Sequence, residues 1–508
     1  GQLHWRVVWS DNQKPVAEGN SEIELRPWSR TAVPIELLAP ETGVTRGLTL
    51  SMQLIGLNGN VLGEDHLALT IWPTKSFAQS SAVAVSVLDP EGETSALLED
   101  AGFTLQTYDK MDSNPDVLII GRRALDKQEP LPFTAKQIED GMRVIVFEQV
   151  GGVLEKMGFR VEDHFPRVTF PGVADHPLLS QLDKDALHDW RGASTLLSSG
   201  PKRDTSRVAT SRRGHHWSNQ GTVASVMMET PQLGSFTSLI NCEFDLAYSP
   251  LLSWRHGKGE LLLVQLDVTA RTADEPAVQQ FVRNLGTYVK EPLPTKATKT
   301  AVVLSDETLT QLVDLGFNAE KWADDPVPMS QVVVVSGKDA DQWQTHRKAL
   351  IDFADRGGDI LIRYAEEALL KDPLFASLAL EPKVFSRITD PLPKHPLLRG
   401  AGLPQFHWRE PMTFSCIQAQ EGSDWNSMLN GLLTVRKHGQ GQIILLQATA
   451  AVCENYEAVL AGDSQEKPLS ASWYARNRTR SRWQLDRLNS QILTNLGVRS
   501  SDELVTSM

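Results

Sequence analysis

The stretch Gly257-Lys-Gly-Glu-Leu-Leu-Leu-Val-Gln265 returns later in the chain as Gly439-Gln-Gly-Gln-Ile-Ile-Leu-Leu-Gln447. Each reads as a glycine-bearing tight turn followed by a strand apolar on both faces, the pattern of a strand buried in a parallel sheet. Working outward, further pairs appear in the same order. Ala101-Gly102-Phe103 pairs with Leu315-Gly316-Phe317, and Asp116-Val-Leu-Ile-Ile-Gly121 with Gln331-Val-Val-Val-Val-Ser-Gly337. Asp175-His-Pro-Leu-Leu179 pairs with Lys394-His-Pro-Leu-Leu398, Trp190-Arg191 with Trp408-Arg409, and Asn284-Leu-Gly286 with Asn495-Leu-Gly497. Collinear matches of this kind mark an internal duplication.

Between these landmarks, short apolar runs alternate with helical stretches. Ala82 to Leu88, Asp116 to Ile120, Val144 to Phe147 and Glu260 to Leu266 read as strands. Thr94 to Ala101, Ala135 to Asp140 and Pro276 to Tyr288 read as helices, the first two closed by Gly102 and Gly141. After a proline- and lysine-bearing linker at 291–299 the rhythm restarts with a strand at Thr300 to Leu304 and a helix at Thr308 to Leu315. Strands then follow at Gln331 to Val335 and Asp359 to Ile362. Such alternation predicts two tandem α/β domains with mainly parallel sheets, at 80–292 and 298–508. Residues 1–74 read differently. Short alternating runs at Leu3–Trp9, Ser21–Leu25, Thr31–Leu37, Leu48–Ile55 and His66–Ile71, with Asn58-Gly59 as a hairpin signal, predict a small all-β sandwich.

The bulk properties exclude several function classes. The 508 residues carry a net charge of −13, which disfavours a nucleic-acid binder. The basic run Arg203 to Arg213 is short and reads as a solvated loop. No apolar run approaches the roughly 20 residues that a membrane span requires. Three widely spaced cysteines, Cys242, Cys416 and Cys453, suit neither a disulfide framework nor a zinc site and read as buried small hydrophobes. There is no HExxH, no phosphate-binding loop and no dinucleotide fingerprint, so neither metal nor cofactor is expected. His215 and His216 are adjacent and point to opposite faces of any strand, which argues against a metal site shared with His164. The chain opens on Gly1 rather than Met, with no signal peptide visible, and the expectation is that an N-terminal part of a longer protein precedes it.

A strand–turn–helix α/β scaffold invites a test for nucleophilic chemistry. Class I glutamine amidotransferases place a cysteine on the strained turn after the third strand. Here that turn reads Phe147-Glu-Gln-Val-Gly-Gly152 in the first domain and Ile362-Arg-Tyr-Ala-Glu-Glu367 in the second. Neither holds cysteine or serine, so no catalytic residue is expected. Two alternatives remain. One is a carbohydrate-binding module, with Trp217, Trp254, Trp473 and Arg213 as candidate sugar contacts, since flat aromatic faces stack on sugar rings. The other is an independent enzyme using a different constellation, such as Glu148 with His176.

The residues also carry a resemblance. Trp5-Arg-Val-Val-Trp9, Val16-Ala-Glu-Gly19, Leu48 to Leu54, Gly59-Asn-Val-Leu62 and Leu69 to Trp72 resemble the immunoglobulin-like domain of glycoside hydrolase family 2 enzymes, the β-galactosidase and β-glucuronidase relatives. Phe147-Glu-Gln149, Asp175-His-Pro177, Asp189-Trp-Arg-Gly192, Tyr248-Ser-Pro-Leu-Leu252 and Gly257 through Asp267 resemble the glutamine-amidotransferase-like, flavodoxin-like domains appended to such enzymes. These domains are also similar to the trimerisation domain of family 42 β-galactosidases. The resemblance implies a non-catalytic accessory or assembly region of a glycoside hydrolase acting on β-linked carbohydrate. Its implied partners are a catalytic barrel in the same parent protein, further copies of the chain, and an oligo- or polysaccharide. For such a parent a secreted or periplasmic location is the expectation.

Overall fold

The computed structural model describes residues 1–508 apart from 25, 27, 74–82, 110–113, 127, 129, 174, 195, 198–218, 270, 272–274, 294–296, 324–325, 454–467 and 502–508. At 83, 385, 409–410 and 468–478 it describes the backbone alone. The chain is a multidomain, mixed α/β protein that divides into two compact units, Gly1–Gln79 and Ser80–Met508.

The first unit is one antiparallel sheet in the order β2-β1-β3-β4, built from β1 (Gln2–Trp9), β2 (Pro15–Glu22), β3 (Arg46–Ile55) and β4 (Val61–Ile71). The Asn58-Gly59 turn joins β3 to β4 as its sequence predicts, with Gly59 at φ +79°. The expected second sheet has no counterpart among the described residues, which corrects the sandwich. The run Thr31–Leu37 forms no strand. Pro34, and Pro40 beyond the run, have no backbone N–H to give a ladder. Ile35 and Leu37 nevertheless pack against the small core of Val7, Leu48 and Leu50, so irregular chain covers the face that a second sheet was expected to cover.

The second unit holds two larger sheets. The first contains β5 (Val83–Leu88), β6 (Phe103–Thr107), β7 (Val117–Ile120), β8 (Arg143–Val146), β9 (Val161–Asp163), β10 (Thr169–Pro171), β11 (Val226–Glu229), β12 (Phe236–Cys242), β13 (Tyr248–His256) and β14 (Gly259–Val264). Its helices are α1 (Glu93–Asp100), α2 (Ala135–Asp140), α3 (Gly151–Lys156) and α4 (Pro276–Tyr288). The second contains β15 (Thr300–Val303), β16 (Ala319–Lys321), β17 (Gln331–Ser336), β18 (Asp359–Arg363), β21 (Asn426–Met428), β22 (Leu433–His438) and β23 (Gly441–Leu446). With it go α5 (Asp306–Asp314), α6 (Ala340–Asp355), α7 (Glu367–Leu370) and a separate hairpin of β19 (Leu378–Arg387) and β20 (His407–Ala419). A long helix, Pro468–Asn495, follows.

The two sheets share a strand order. One runs β6-β5-β7-β8-β14-β13 and the other β16-β15-β17-β18-β23-β22. In both, the first five strands are parallel and the sixth is antiparallel. The five parallel strands follow the 2-1-3-4-5 order of doubly wound folds. Residues on β17, β18 and β23 alternate between two cores. Val332, Val334, Leu361 and Ile444 face one, and Val333, Val335, Ile360, Ile362 and Ile443 face the other. This two-sided burial is why these strands read as unbroken apolar runs.

The paired glycines explain their own recurrence. Gly257 (φ +57°) and Gly439 (φ +55°) turn the β13–β14 and β22–β23 hairpins against the ends of α2 and α6. A Cβ would stand 2.4 Å from the Glu139 carbonyl oxygen at the first and 2.4 Å from the Asp355 Cα at the second. Both positions therefore demand the left-handed backbone and leave no room for a side chain. The His-Pro pairs recur for a reason as well. His176 and His395 each open a short 3-10 turn and accept, at Nδ1, the amide of Leu178 or Leu397 at 3.3 Å. Asn284 then donates to the carbonyls of Leu178 and Ser180, and Asn495 to those of Leu397 and Arg399.

Candidate functional site

In doubly wound sheets ligands bind in the crevice beyond the carboxyl ends of the parallel strands. Both sheets have such an edge, and the turn after the fourth parallel strand in sequence lies on it, because β6 and β16 each add a parallel strand that the sequence reading passes over. In the first sheet this turn follows β8 and presents Glu148, which is fully buried. Its Oε1 accepts the amides of Val268 at 2.6 Å and Thr269 at 2.7 Å, and its Oε2 accepts the Thr269 hydroxyl at 2.9 Å. Burial, with the Asp267 carboxylate as a second cause, pushes Glu148 up to about 7 despite these donors. Around it, Arg271 ion-pairs with Asp267 at 2.9 Å and donates to the Thr222 carbonyl at 2.5 Å. Arg122 pairs with Glu93 at 2.7 Å. Asp267 itself is held above the usual carboxylate range, first by burial, with Arg271 and Arg122 opposing. Ion pairs of the first half thus lie beside Glu148 at this edge.

The second sheet offers Tyr364 at the corresponding turn, after β18. Its φ of +54° is the strained left-handed geometry of a nucleophile turn. The residue that follows each turn is tied alike: Gln265 Oε1 accepts the Gln149 amide at 2.9 Å, and Gln447 Oε1 accepts the Ala365 amide at 2.7 Å. These glutamines are members of the sequence repeat, which equates Glu148 with Tyr364. Beside Tyr364 lies a cavity of about 180 Å³ lined by Glu307, Lys338, Arg363, Arg482 and Asp486 among others. Arg363 donates to Asn489 and Gln311 at 3.2 and 3.1 Å, and burial lowers it to about 10. Asp486 is raised to about 6 by burial, against the pull of Arg482 and Arg363. The cavity falls short of the roughly 300 Å³ at which small-molecule sites begin. A phenol on the turn is not the thiol that amidotransferase chemistry requires.

The three cysteines are buried, as the sequence suggests, and none lies on either turn. Burial raises the Cys242 thiol well above its ordinary value and Cys416 to about 11, so both are inert thiols. Trp254, a candidate sugar platform, is fully buried on β13. Its ring stacks on His256 with centroids 4.6 Å apart, so no face is open to a sugar, and the expectation for this residue is corrected. Trp217 and Arg213 lie outside the described residues, as does the side chain of Trp473. His164 pairs with Glu243 at 3.2 Å, a partner that the sequence alone does not suggest. No group of three or more metal-ligating side chains occurs among the described residues.

Glu148 and His176 do not form one site. Glu148 follows the carboxyl end of β8. His176 lies near Glu260, whose charge acts on it, and Glu260 is in register with Arg143 at the opposite end of that strand. Five residues of strand separate the two positions by about 16 Å. Sequence reasoning names the turn at Tyr364 but not its strain, which is visible only in the backbone, and it misses that Arg363 and Asp486, far apart in the chain, line one cavity.

No protein-family model matches the chain, and no curated protein matches it. Its distant structural neighbours are glycoside hydrolases. One is the exo-β-1,4-mannosidase Op5Man5 from Opitutaceae bacterium strain TAV5, at 12% identity over 41% of this chain and 38% of that one, with a TM-score of 0.20. Another is a catalytic mutant of Gan42B, a GH42 β-galactosidase from G. stearothermophilus, at 12% identity over 35% and 31% with a TM-score of 0.18. A third is the β-galactosidase from Rahnella sp. R3, at 10% identity over 65% and 51% with a TM-score of 0.19. The match spans about two fifths of the first protein's length, and likenesses this low assign no role to any residue here.

Proposed function

We propose that this chain is a non-catalytic accessory and assembly region of a glycoside hydrolase acting on β-linked carbohydrate. In this reading 1–74 is an immunoglobulin-like domain reduced to one sheet, and 80–292 and 298–508 are two amidotransferase-like α/β domains. They brace a catalytic barrel of the same parent protein and bring copies of it together. The observation that carries the reading is the occupancy of the two turns. Where an amidotransferase holds cysteine, one turn holds a carboxylate locked by the amides of Val268 and Thr269, and the other holds Tyr364 beside a cavity of about 180 Å³. The sequence resemblance supplies the glycosidase context.

The test is hydrolysis of a panel of chromogenic β-glycosides, and of glutamine, by the purified chain, alongside light scattering for its assembly state. No turnover with a stable oligomer is expected. Robust turnover of any substrate overturns the non-catalytic reading, and a strict monomer overturns the assembly role.

A further inference from the structure

The two His-Pro turns meet across the seam between the two α/β halves of the second unit. With the strands behind them they wall a cavity of about 880 Å³, within the range of small-molecule sites. Leu239, Leu398 and Leu403 and several prolines form its apolar wall, and Arg255, Arg399, His176 and His395 are among its polar groups.

Arg255 is the decisive residue. It is 9% exposed, and its Nε has no hydrogen-bond partner. Its guanidinium takes part in no hydrogen bond or ion pair among the described residues. A donor on a charged group that is buried without an acceptor is costly, so the unsatisfied Nε, with the rest of the guanidinium lining the cavity, points to a missing anion. The neighbouring charges do not supply one. Register across β13, β14 and β8 places Glu260 between Arg255 and Arg143. The two oxygens of Glu260 are already taken by the hydroxyls of Ser253 and Tyr288, the latter at 2.6 Å. Two guanidiniums against one carboxylate leave one positive charge in surplus. At the rim Asp175 is engaged with Lys394 at 3.5 Å. Glu291 is the other carboxylate of the wall and is exposed.

The histidines add donors. Burial lowers His176 to about 4, so its ring is neutral. Because Nδ1 accepts the Leu178 amide, the proton sits on Nε2. His395 repeats the arrangement with Leu397. Each half therefore contributes an imidazole N–H to the same cavity. We propose that the cavity binds a small organic monocarboxylate. Its carboxylate engages the planar fork of Arg255 and these imidazole donors, and its body lies on the leucine and proline wall. Arg399, the remaining cation of the wall, is offset by Glu291, so the surplus stays at one positive charge, which favours a monoanion over a phosphate dianion, and the planar fork of Arg255 can take both oxygens of a carboxylate. This site is separate from the two turns on which the accessory reading rests.

The carboxylate is carried either by a sugar acid or by an apolar acid, and calorimetry on the full chain separates the two. The probes are glucuronate against glucuronamide and benzoate against benzamide, with inorganic phosphate as a further arm. One carboxylate is expected to bind saturably, at least about tenfold tighter than its amide. Arg255→Met is expected to weaken that binding by at least about tenfold while melting no lower than the wild type. Should this variant fail to fold, the comparison of carboxylate with amide on the wild-type chain decides alone. Carboxylates that bind no better than their amides overturn the proposal. So does unchanged affinity in Arg255→Met, or phosphate binding as tightly as either carboxylate.

Discussion

Replacing Glu148 with Gln isolates the most unusual charge in the fold. Glu148 is fully buried and titrates at about 7 rather than at the ordinary 4.5. Below pH 4.5 it is protonated in both the folded and unfolded chain. As pH rises from there the unfolded chain releases its proton while the folded chain keeps it, so stability falls until the pH passes about 7. At about 1.4 kcal/mol for each tenfold, the gap between 4.5 and 7 amounts to about 3 kcal/mol. Glutamine matches the protonated form. Its oxygen accepts the amides of Val268 and Thr269, and its amide donates to the Thr269 hydroxyl, which turns toward Thr94, 3.3 Å away. Glu148→Gln is therefore expected to equal the wild type near pH 5. At pH 8 it should exceed it by up to about 3 kcal/mol, a rise in melting temperature on the order of 5 °C. Scanning calorimetry of both proteins from pH 4.5 to 8.5 measures this, and the difference between them cancels the titrating groups that do not interact with Glu148, leaving Glu148 and the Asp267 coupled to it. A variant destabilised equally at pH 5 and pH 8 refutes the reasoning, because it makes Glu148 a stabilising anion rather than a strained one.

Other expectations follow from the same geometry. Gly257→Ala and Gly439→Ala should each cost at least about 2 kcal/mol in thermal melts, while Gly59→Ala, also at positive φ but in open space, should cost about 1 kcal/mol. Asp372→Asn should destabilise at neutral pH by about 2 kcal/mol. Burial opposes ionisation of Asp372, but Arg347, the Leu374 amide and Trp343 overcome it and hold the carboxyl at about 2. That stabilisation is present above pH 3.8 and should vanish as pH falls through about 2, which acid titration of the variant against the wild type reads. Asn284→Ala and Asn495→Ala each remove two hydrogen bonds to a 3-10 turn and should lower stability by similar amounts, about 1–3 kcal/mol in melts. A large difference between the two overturns their equivalence.

Elements whose cause is local were legible in the sequence. The closing helix Pro276–Tyr288 runs between the residues expected, because Pro276 sits where a helix needs no N–H and Glu275 caps it. The strands beginning at Gly259 and Gly441 were read from their glycine turns. The hairpin β19–β20 was not legible, since its partners are joined by a connection of 19 residues, 388–406, and no local signal sets their register. The missing second layer of the N-terminal unit shows the converse error. Thr31 to Leu37 has strand-like alternation, yet alternation reports which residues face the core and not whether the backbone finds a ladder. For the sites, the identity of the turn residues could be read directly. Their environment could not, because Glu148 is held by residues 120 positions away.

The two halves diverge most where the shared scaffold constrains them least. The hairpin glycines, the His-Pro turns and the Oε1 acceptors of the strand-edge glutamines keep equivalent contacts in both, since each fits a steric or hydrogen-bonding demand of the sheet. The turns that would bear a nucleophile carry different residues, one held by the amides of Val268 and Thr269 and one left beside a small cavity. The seam has the opposite character. It takes one His-Pro turn from each half, so neither half alone can form its walls, and its unpaired Arg255 comes from the first half only. Packing of the Pro468–Asn495 helix against the first half, through Gln491 on Thr237 at 3.0 Å, holds the two turns at that seam. Loosening this contact, as in Gln491→Ala, should therefore weaken carboxylate binding before it unfolds either sheet. Calorimetry beside circular dichroism on one sample distinguishes the two losses, and simultaneous loss would place the sheets and the seam in a single cooperative unit.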